Sequence, residues 1–244
     1  FNAGRGSSLN NLGQIEMDAA VMDGRTLNAG AIACATQIKN PVSLARVVME
    51  HTPHILLTGP ELHKIAKRAG LALHSQNYFI TAHQRETYLK AAAQITGDGV
   101  FRPGSHGTVG AVALDFAGNI AAATSTGGTE GRMPGRISDS CIIGAGCYAN
   151  NSTCAVSGTG DGEILIRNVS AHTIACVMEN PDTSLQQACD DMVHKRVGNG
   201  KGDIGVISLN GRGEFGISFN SERMPRVWKN SNGEHGSAIY VTNG

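Results

Sequence analysis

The sequence predicts an α+β protein in which two β-sheets lie face to face between layers of helices. Three observations carry that expectation. Helical patterns fall early and again after residue 162, while short strands of small apolar residues dominate the middle, so strand and helix do not alternate as in a doubly wound parallel sheet. The stretch from Gly107 to Gly128 reads as two arms around a tight turn at Gly118-Asn119, and both arms are apolar on both faces, so this sheet should be covered on both sides. Glycine supplies 32 of 244 residues and aromatics only 5 %, which suits closely packed layers joined by tight turns rather than a bundle of bulky helices.

In chain order, Asn2-Ala-Gly-Arg-Gly is a loop and Gln14 to Val21 has the partial alternation of a strand. Met22-Asp23-Gly24 turns the chain, and Ala29 to Gln37 is a second small-residue run. Asn40-Pro41 opens a helix, with Asn as N-cap, Pro at the first helical position, and Leu44, Val47 and Val48 on the apolar face. Glu61 to Arg68 is a short helix ended by Gly70, and Thr81 with Gln84 forms a capping box for a helix through Ala93. Residues 96 to 106 have few apolar anchors and read as a linker. If residues 116 to 118 form the loop of the hairpin that follows, Asp115 pairs with Asn119 and Thr108 falls opposite Thr126. Gly127 to Gly146 is a polar, Gly-rich loop, and Thr153 to Ser157 is a strand leading into a Gly158-Thr-Gly-Asp-Gly162 turn. One helix should then bury Ile164, Leu165, Val169, Ile174 and Val177, and Thr183 with Gln186 should cap another through Lys195. Asp203–Leu209 and Glu214–Phe219 form a hairpin around Asn210-Gly211, and Ser237 to Thr242 is a last strand.

Composition excludes several function classes. Lysine plus arginine equal aspartate plus glutamate, net charge is zero, and no run of five like charges occurs, so neither nucleic acid nor an anionic membrane is an expected partner. No apolar stretch approaches the roughly 20 residues that would span a bilayer, and no secretion signal opens the chain. The six cysteines, Cys34, Cys141, Cys147, Cys154, Cys176 and Cys189, show no C-x-x-C spacing. Their scatter fits reduced, mostly buried thiols in a cytoplasmic protein, and a zinc site is not expected.

Three places could carry chemistry. Gly158-Thr-Gly-Asp-Gly162, placed before a helix, could aim backbone N–H groups at an anion or a developing oxyanion, with Thr159 adding a hydroxyl. A plain strand-to-helix turn explains that stretch as well, and it lacks the Gly-Lys-Ser/Thr of a nucleotide loop. Arg136 and Asp139, three residues apart on a Gly-flanked loop, could hold the carboxylate and ammonium of an α-amino acid head group. A solvated local ion pair is the plainer alternative. Thr108 is a poor nucleophile unless a base takes its proton, and no Gly-x-Ser-x-Gly elbow or evident Ser-His-Asp set is present. A cut between Gly107 and Thr108 would free an α-amine beside the hydroxyl, with a pKa near ~7.7–8 suited to act as base. On the hairpin alone, a Thr–Thr cross-strand pair is the simpler account.

Phe1-Asn-Ala-Gly, Met17-Asp-Ala, Met22-Asp-Gly, Gly107-Thr-Val-Gly-Ala-Val-Ala-Leu-Asp115, Thr124-Ser-Thr-Gly-Gly128, Pro134-Gly-Arg136, Gly144-Ala-Gly146, Tyr148-Ala-Asn150 and Thr159-Gly-x-Gly-Glu163 resemble the plant-type L-asparaginase / isoaspartyl peptidase (β-aspartyl-peptidase) family, in its order and spacing and over essentially the whole chain. The resemblance implies a four-layer αββα sandwich of the N-terminal-nucleophile (Ntn) hydrolase type and a precursor that cuts itself before the catalytic threonine. It implies hydrolysis of L-asparagine and of β-aspartyl dipeptides with no cofactor for catalysis. The chain would then be one domain, 1–244, in two parts: 1–107 with a linker at about 95–107, and 108–244 starting at the nucleophile.

Carried over by position, the resemblance makes Thr108 the nucleophile, with Thr126 beside it to assist cleavage or catalysis, and Asn2 hydrogen-bonded near it. Arg136 would grip the substrate α-carboxylate and Asp139 its α-amine. Thr159 and Gly160 would form the oxyanion hole, and Gly162 would help position the substrate. Phe1, Ala3 and Arg5 match part of a loop whose main-chain carbonyls hold a structural Na+ in some members, and members are usually homodimers of αβ units.

Ser138 stands where the family usually has Gly and is expected to disturb Asp139; Cys141 replaces a Pro, and Gly158 a Cys or Thr. Family chains carry about one strand and one helix before Phe-Asn-Ala-Gly, including a His-Gly-Gly segment, so this chain should show an unpaired sheet edge. Two alternatives stand beside the hydrolase: a glycosylasparaginase-like amidase, which would usually show Asp before the threonine instead of His106-Gly107, and a truncated, unprocessed, non-catalytic member.

Overall fold

The computed structural model describes residues 1–92, 107–198 and 202–240. The linker expected at residues 95–106, the end of the helix expected through Ala93 and the last two residues of the strand expected at 237–242 lie outside them; the described strand there runs His235–Ala238 instead.

Strands β1 (Met17–Asp23), β2 (Ala29–Ala35), β3 (Leu56–Thr58), β4 (Val109–Leu114) and β5 (Ile120–Thr126) form one sheet in the order β3-β2-β1-β5-β4. Strands β6 (Cys147–Ala149), β7 (Ala155–Gly160), β8 (Ile204–Leu209) and β9 (Phe215–Phe219) form a second in the order β6-β7-β8-β9, and β10 (Arg226–Lys229) pairs with β11 (His235–Ala238) as a two-stranded ribbon. The helices are α1 (Pro41–His51), α2 (Glu61–Arg68), α3 (Gln76–Phe79), α4 (Ala82–Ala92), α5 (Gly162–Asn168), α6 (Ser170–Val177) and α7 (Leu185–Asp190), the last continued by a π-helical stretch, Asp191–Val197.

Small residues let the two large sheets approach closely. Ala20, Met22, Ala31 and Ala33 from β1 and β2 meet Cys147, Ala149 and Ala155 of the facing sheet, with Ile120 and Ala122 of β5. The opposite parity of β1 and β2, Ala19 and Ile32, turns outward to Leu44 and Val48 of α1 and Leu62 and Ala66 of α2. Across the molecule, Val156 and Val206 bury the inward faces of α5, α6 and α7 through Leu165, Ile174 and Leu185. The layers are therefore helix, sheet, sheet, helix, the αββα sandwich expected. A buried polar stitch crosses between the sheets, where Thr124 donates to the carbonyl of Gly146 at 2.9 Å and its Oγ1 lies 2.7 Å from Oγ of Ser157.

The hairpin has the expected register, with Val109 opposite Ser125 and Leu114 opposite Ile120, so Thr108 meets Thr126. Its coverage differs from expectation. β4 is the last strand of its sheet: Val112 and Leu114 are half-buried toward the facing sheet, whereas Val109 (41 % exposed), Ala111 and Ala113 face outward uncovered. The edge beyond β4 is unpaired among the described residues. At Gly110 a Cβ would come within 2.0 Å of the Ser157 hydroxyl, so β4 rests directly on β7 at that point.

Other expectations are also corrected. The first strand begins at Met17 rather than Gln14 and runs through Asp23 into a turn. Asn40 precedes α1 without a side-chain cap, and Thr81 accepts the Gln84 N–H while the Gln84 side chain bonds the Gly6 carbonyl instead of closing a capping box. The helix after residue 162 breaks into α5 and α6 at Val169, which is left-handed (φ 47°) and exposed rather than inward. Ser184, not Thr183, caps α7 by accepting the N–H of Gln187.

Candidate active site

The main-chain carbonyl of Gly107 is the centre of the first half of the site. It accepts a hydrogen bond from Nδ2 of Asn2 at 2.9 Å and another from Oγ1 of Thr126 at 2.7 Å. Each donor is itself fixed. Oγ1 of Thr126 accepts the N–H of Gly128, and the Asn2 carboxamide accepts the Ser8 N–H through Oδ1 while also donating to the Gly128 carbonyl. The Asn2 carbonyl takes the N–H of Gly127, where a Cβ would lie 2.4 Å from Cβ of Ser7 and 2.5 Å from Oδ1 of Asn2. Only a glycine lets β5 and the Asn2 loop close to this distance. The next residue, Thr108, is half-buried at the foot of β4. Two side-chain donors aimed at one peptide carbonyl polarise it and would stabilise negative charge on its oxygen.

The second half is the loop of residues 135–139 against the start of α5. Arg136 forms a fork on Glu163, Nε to Oε1 at 2.8 Å and Nη2 to Oε2 at 2.7 Å. The guanidinium side chain is 15 % exposed and the glutamate 55 %, so the glutamate side of the pair reaches solvent. Burial works against the Arg136 charge, but the Glu163 hydrogen bond and nearby carboxylates outweigh it and raise its pKa; the same bond lowers that of Glu163. Asp139 is fully buried, and burial, partly offset by Arg136, pushes its carboxyl up to about 7. Its Oδ2 has no hydrogen-bond partner among the described residues. At Gly162 a Cβ would lie 2.7 Å from both Nη2 of Arg136 and Oδ1 of Asp139. Its missing side chain lets the cation and the acid both pack against the start of α5.

Ser138 does not disturb Asp139 as expected. Its φ of −87° and ψ of 169° are extended backbone open to any residue, and its hydroxyl accepts the N–H of Ser140. Cys141 is buried with its Sγ 3.6 Å from the Ser138 carbonyl. The 158–162 stretch is also corrected: β7 runs on through Thr159 and Gly160, which pair with Gly205 and Ile204, and only Asp161 separates strand from helix. Gly160 has φ +118°, and a Cβ there would come within 2.1 Å of the Asp203 carbonyl. Thr159 lies two residues beyond Ser157 on β7, and Thr108 two residues before Gly110 on the strand packed against it.

Two residues that sequence reasoning left without a role complete the geometry. Glu163 is one. The other is Asp18, which lies opposite Thr126 in the β1–β5 pairing and is buried; its Oδ1 accepts the Cys34 N–H and its Oδ2 the Ser138 N–H, both at 2.8 Å. The Met17-Asp-Ala and Thr159-Gly-x-Gly-Glu motifs contain both residues, but their partners are too distant in sequence for spacing to reveal.

At the chain start, the carbonyls of Asn2 and Gly4 accept hydrogen bonds, whereas those of Phe1, Ala3 and Arg5 receive none among the described residues. No cluster of three or more His, Cys, Asp or Glu able to hold a metal occurs among the described residues, and no described helix is long and apolar enough to cross a membrane.

The asparaginase family model matches residues 1–239. The chain belongs to the asparaginase family. It is 44 % identical over 234 residues to an isoaspartyl peptidase of Salmonella typhimurium, covering 93 % of this chain and 75 % of that protein. It is 40 % identical to an Escherichia coli isoaspartyl peptidase, over all of this chain and 78 % of the relative. A Mus musculus isoaspartyl peptidase/L-asparaginase is 43 % identical over 92 % of this chain and 69 % of its own length. Membership identifies the sandwich as that of an Ntn hydrolase, as the resemblance implied.

Proposed function

We propose that this asparaginase-family chain is a self-processing threonine amidohydrolase that converts L-asparagine to aspartate and ammonia and cleaves β-aspartyl dipeptides. The observation that carries the reading is the Gly107 carbonyl held by Asn2 and Thr126. In the first reaction, Oγ1 of Thr108 attacks the Gly107 carbonyl carbon while those two donors stabilise the oxyanion. As the peptide C–N bond breaks, the hydroxyl proton passes to the departing nitrogen, freeing the Thr108 α-amine and leaving an ester; water then hydrolyses the ester, releasing segment 1–107 with a Gly107 carboxylate and restoring the Thr108 hydroxyl.

In the second reaction the head group of the substrate is held by Arg136 through its α-carboxylate and by Asp139 through its α-amine, with Gly162 letting both pack against the start of α5 to position the substrate. Thr108 Oγ1 attacks the side-chain carbonyl, its α-amine takes the hydroxyl proton and passes it to the departing ammonia or amine, and water resolves the acyl-enzyme. Thr159 and Gly160 are assigned to the oxyanion of this step, and Thr126 stays beside the nucleophile. No cofactor enters either step. A structural Na+ on the carbonyls of Phe1, Ala3 and Arg5 would steady the Asn2 loop without joining the chemistry. The six free cysteines suit a reducing, cytoplasmic setting, and the family resemblance supports a homodimer of cleaved units.

Mass spectrometry of the purified chain tests the reading. Two pieces meeting at Gly107/Thr108, absent in Thr108→Ala, together with ammonia release from L-asparagine, support it. A chain that stays uncut at neutral pH and binds aspartate without turnover assigns the protein to non-catalytic members of the family.

A further inference from the structure

The Arg136 fork is already filled by a carboxylate of the protein itself. Glu163 takes the side-on edge of the guanidinium, Nε and Nη2, in two parallel bonds of 2.8 and 2.7 Å. A guanidinium has five N–H donors and can hold two carboxylates, one on the side-on edge and one on the end-on pair of Nη1 and Nη2. Nη1 carries no hydrogen bond among the described residues. Nη2 packs directly against Gly162, beside Oδ1 of Asp139.

We infer that Glu163 is a positioning residue for substrate recognition: it holds the side-on edge of Arg136 so that the end-on N–H pair meets the substrate α-carboxylate. The inference rests on the proposed reading of Arg136 as the carboxylate clamp. A free arginine side chain samples many rotamers, and a fork–fork pair limits it to one. Glu163 also closes the edge that would otherwise accept the incoming carboxylate in a second orientation, which would carry the side-chain amide away from Thr108. The glutamate sits in the first turn of α5, whose N-cap Asp161 accepts the Ile164 N–H, so its backbone is set independently of Arg136.

Glu163→Ala and Glu163→Gln, made in the full chain, test this by calorimetry with two probes. L-aspartate carries the α-carboxylate; β-alanine is the same molecule without it. The Kd for L-aspartate should rise about tenfold in Glu163→Ala, in line with loss of a charge-assisted pair, and by less in Glu163→Gln, which keeps one acceptor. The Kd for β-alanine should stay within about twofold. Where turnover is measured, the Glu163→Ala change should fall on KM with kcat kept. Equal weakening for both probes would show a general structural role and overturn the inference, as would unchanged L-aspartate binding in both variants. Absence of self-cleavage in the unsubstituted chain would count against the proposed reaction and leave the two-probe comparison intact.

Discussion

Asp18 accepts the main-chain N–H of Ser138 at 2.8 Å while lying opposite Thr126 in the β1–β5 pairing. One buried carboxylate thus ties β1, the strand paired with the one carrying Thr126, to the loop that carries Arg136 and Asp139. Both of its oxygens are engaged by main-chain N–H groups, the second by Cys34, a non-glycine residue held at φ 51°. Burial, aided by the negative charge of Asp18, pushes the Cys34 thiol up to about 11, which keeps it out of nucleophilic chemistry at neutral pH.

Asp18→Asn should therefore loosen the clamp loop. An amide can accept one of the two N–H groups but turns its own NH2 toward the other, leaving a buried donor unpaired at a cost of about 2 kcal/mol. Urea denaturation should show that loss. Kinetics should show KM for L-asparagine raised more than the rate of self-cleavage is lowered, because Gly107 remains held by Asn2 and Thr126. Equal losses in both would mean that Asp18 supports the fold without setting the loop.

Thr126→Val keeps the shape of the side chain and removes the hydroxyl that donates to the Gly107 carbonyl. Removal of one donor to a developing oxyanion slows the step by about 10²–10³. The uncut chain should persist correspondingly longer on a denaturing gel, and Thr126→Ser should restore most of the rate. Asn2→Ala should slow cleavage similarly and also loosen the Ser8 and Gly128 contacts, so its melting temperature should fall further than that of Thr126→Val.

The register of this hairpin was legible because it depends only on strand periodicity and a tight turn, both local. Helix stops such as Gly70, with φ +70°, were legible for the same reason. What escaped depends on distant partners. β3, β6 and β10 have three or four residues each and exist because a neighbouring strand pairs with them. Thr159 and Gly160 read as a turn on glycine content, yet β8 holds them extended. The uncovered face of β4 comes from its place at the sheet edge, which its alanines and valines do not encode. Arg136 and Asp139 were identifiable as a charged pair, but the carboxylate bonded to Arg136 is Glu163, and the support under both is Asp18.

If Asp139 holds the substrate amine as proposed, its buried carboxyl should make substrate binding pH-dependent. Its folded-state pKa of about 7 stands above the ordinary 3.8 of an aspartate, so the folded chain binds a proton more tightly than the unfolded chain does. Its contribution to stability is present at low pH and falls as pH rises through the window between those two values. Binding has the opposite sense, because only the ionised form attracts an ammonium. KM for L-asparagine should fall as pH rises through about 7, and Asp139→Asn should bind poorly with that dependence removed. The kcat profile should instead follow the Thr108 α-amine near ~7.7–8. A KM that is flat from acid to neutral pH in the unsubstituted enzyme would sink the assignment of Asp139 to the amine.

Gly162→Ala separates recognition from self-cleavage most sharply. The added methyl would stand 2.7 Å from Nη2 of Arg136 and Oδ1 of Asp139 and 3.3 Å from the Asp139 main-chain nitrogen. The arginine is the far end of a flexible side chain and can swing outward with Glu163; Asp139 is buried and cannot. Gly162 is the first residue of α5, where alanine is a good helix former, so the backbone accepts the change. Overpacking at this one point should cost about 1–3 kcal/mol. Relieving the clash must displace Arg136 or Asp139, the two proposed head-group contacts, so L-aspartate affinity should drop by about tenfold or more. The Gly107 carbonyl and its two donors are untouched, so the chain should still cut itself at close to the original rate. A Gly162→Ala chain that fails to cut but binds L-aspartate normally would reverse the division of labour between the two halves of the site.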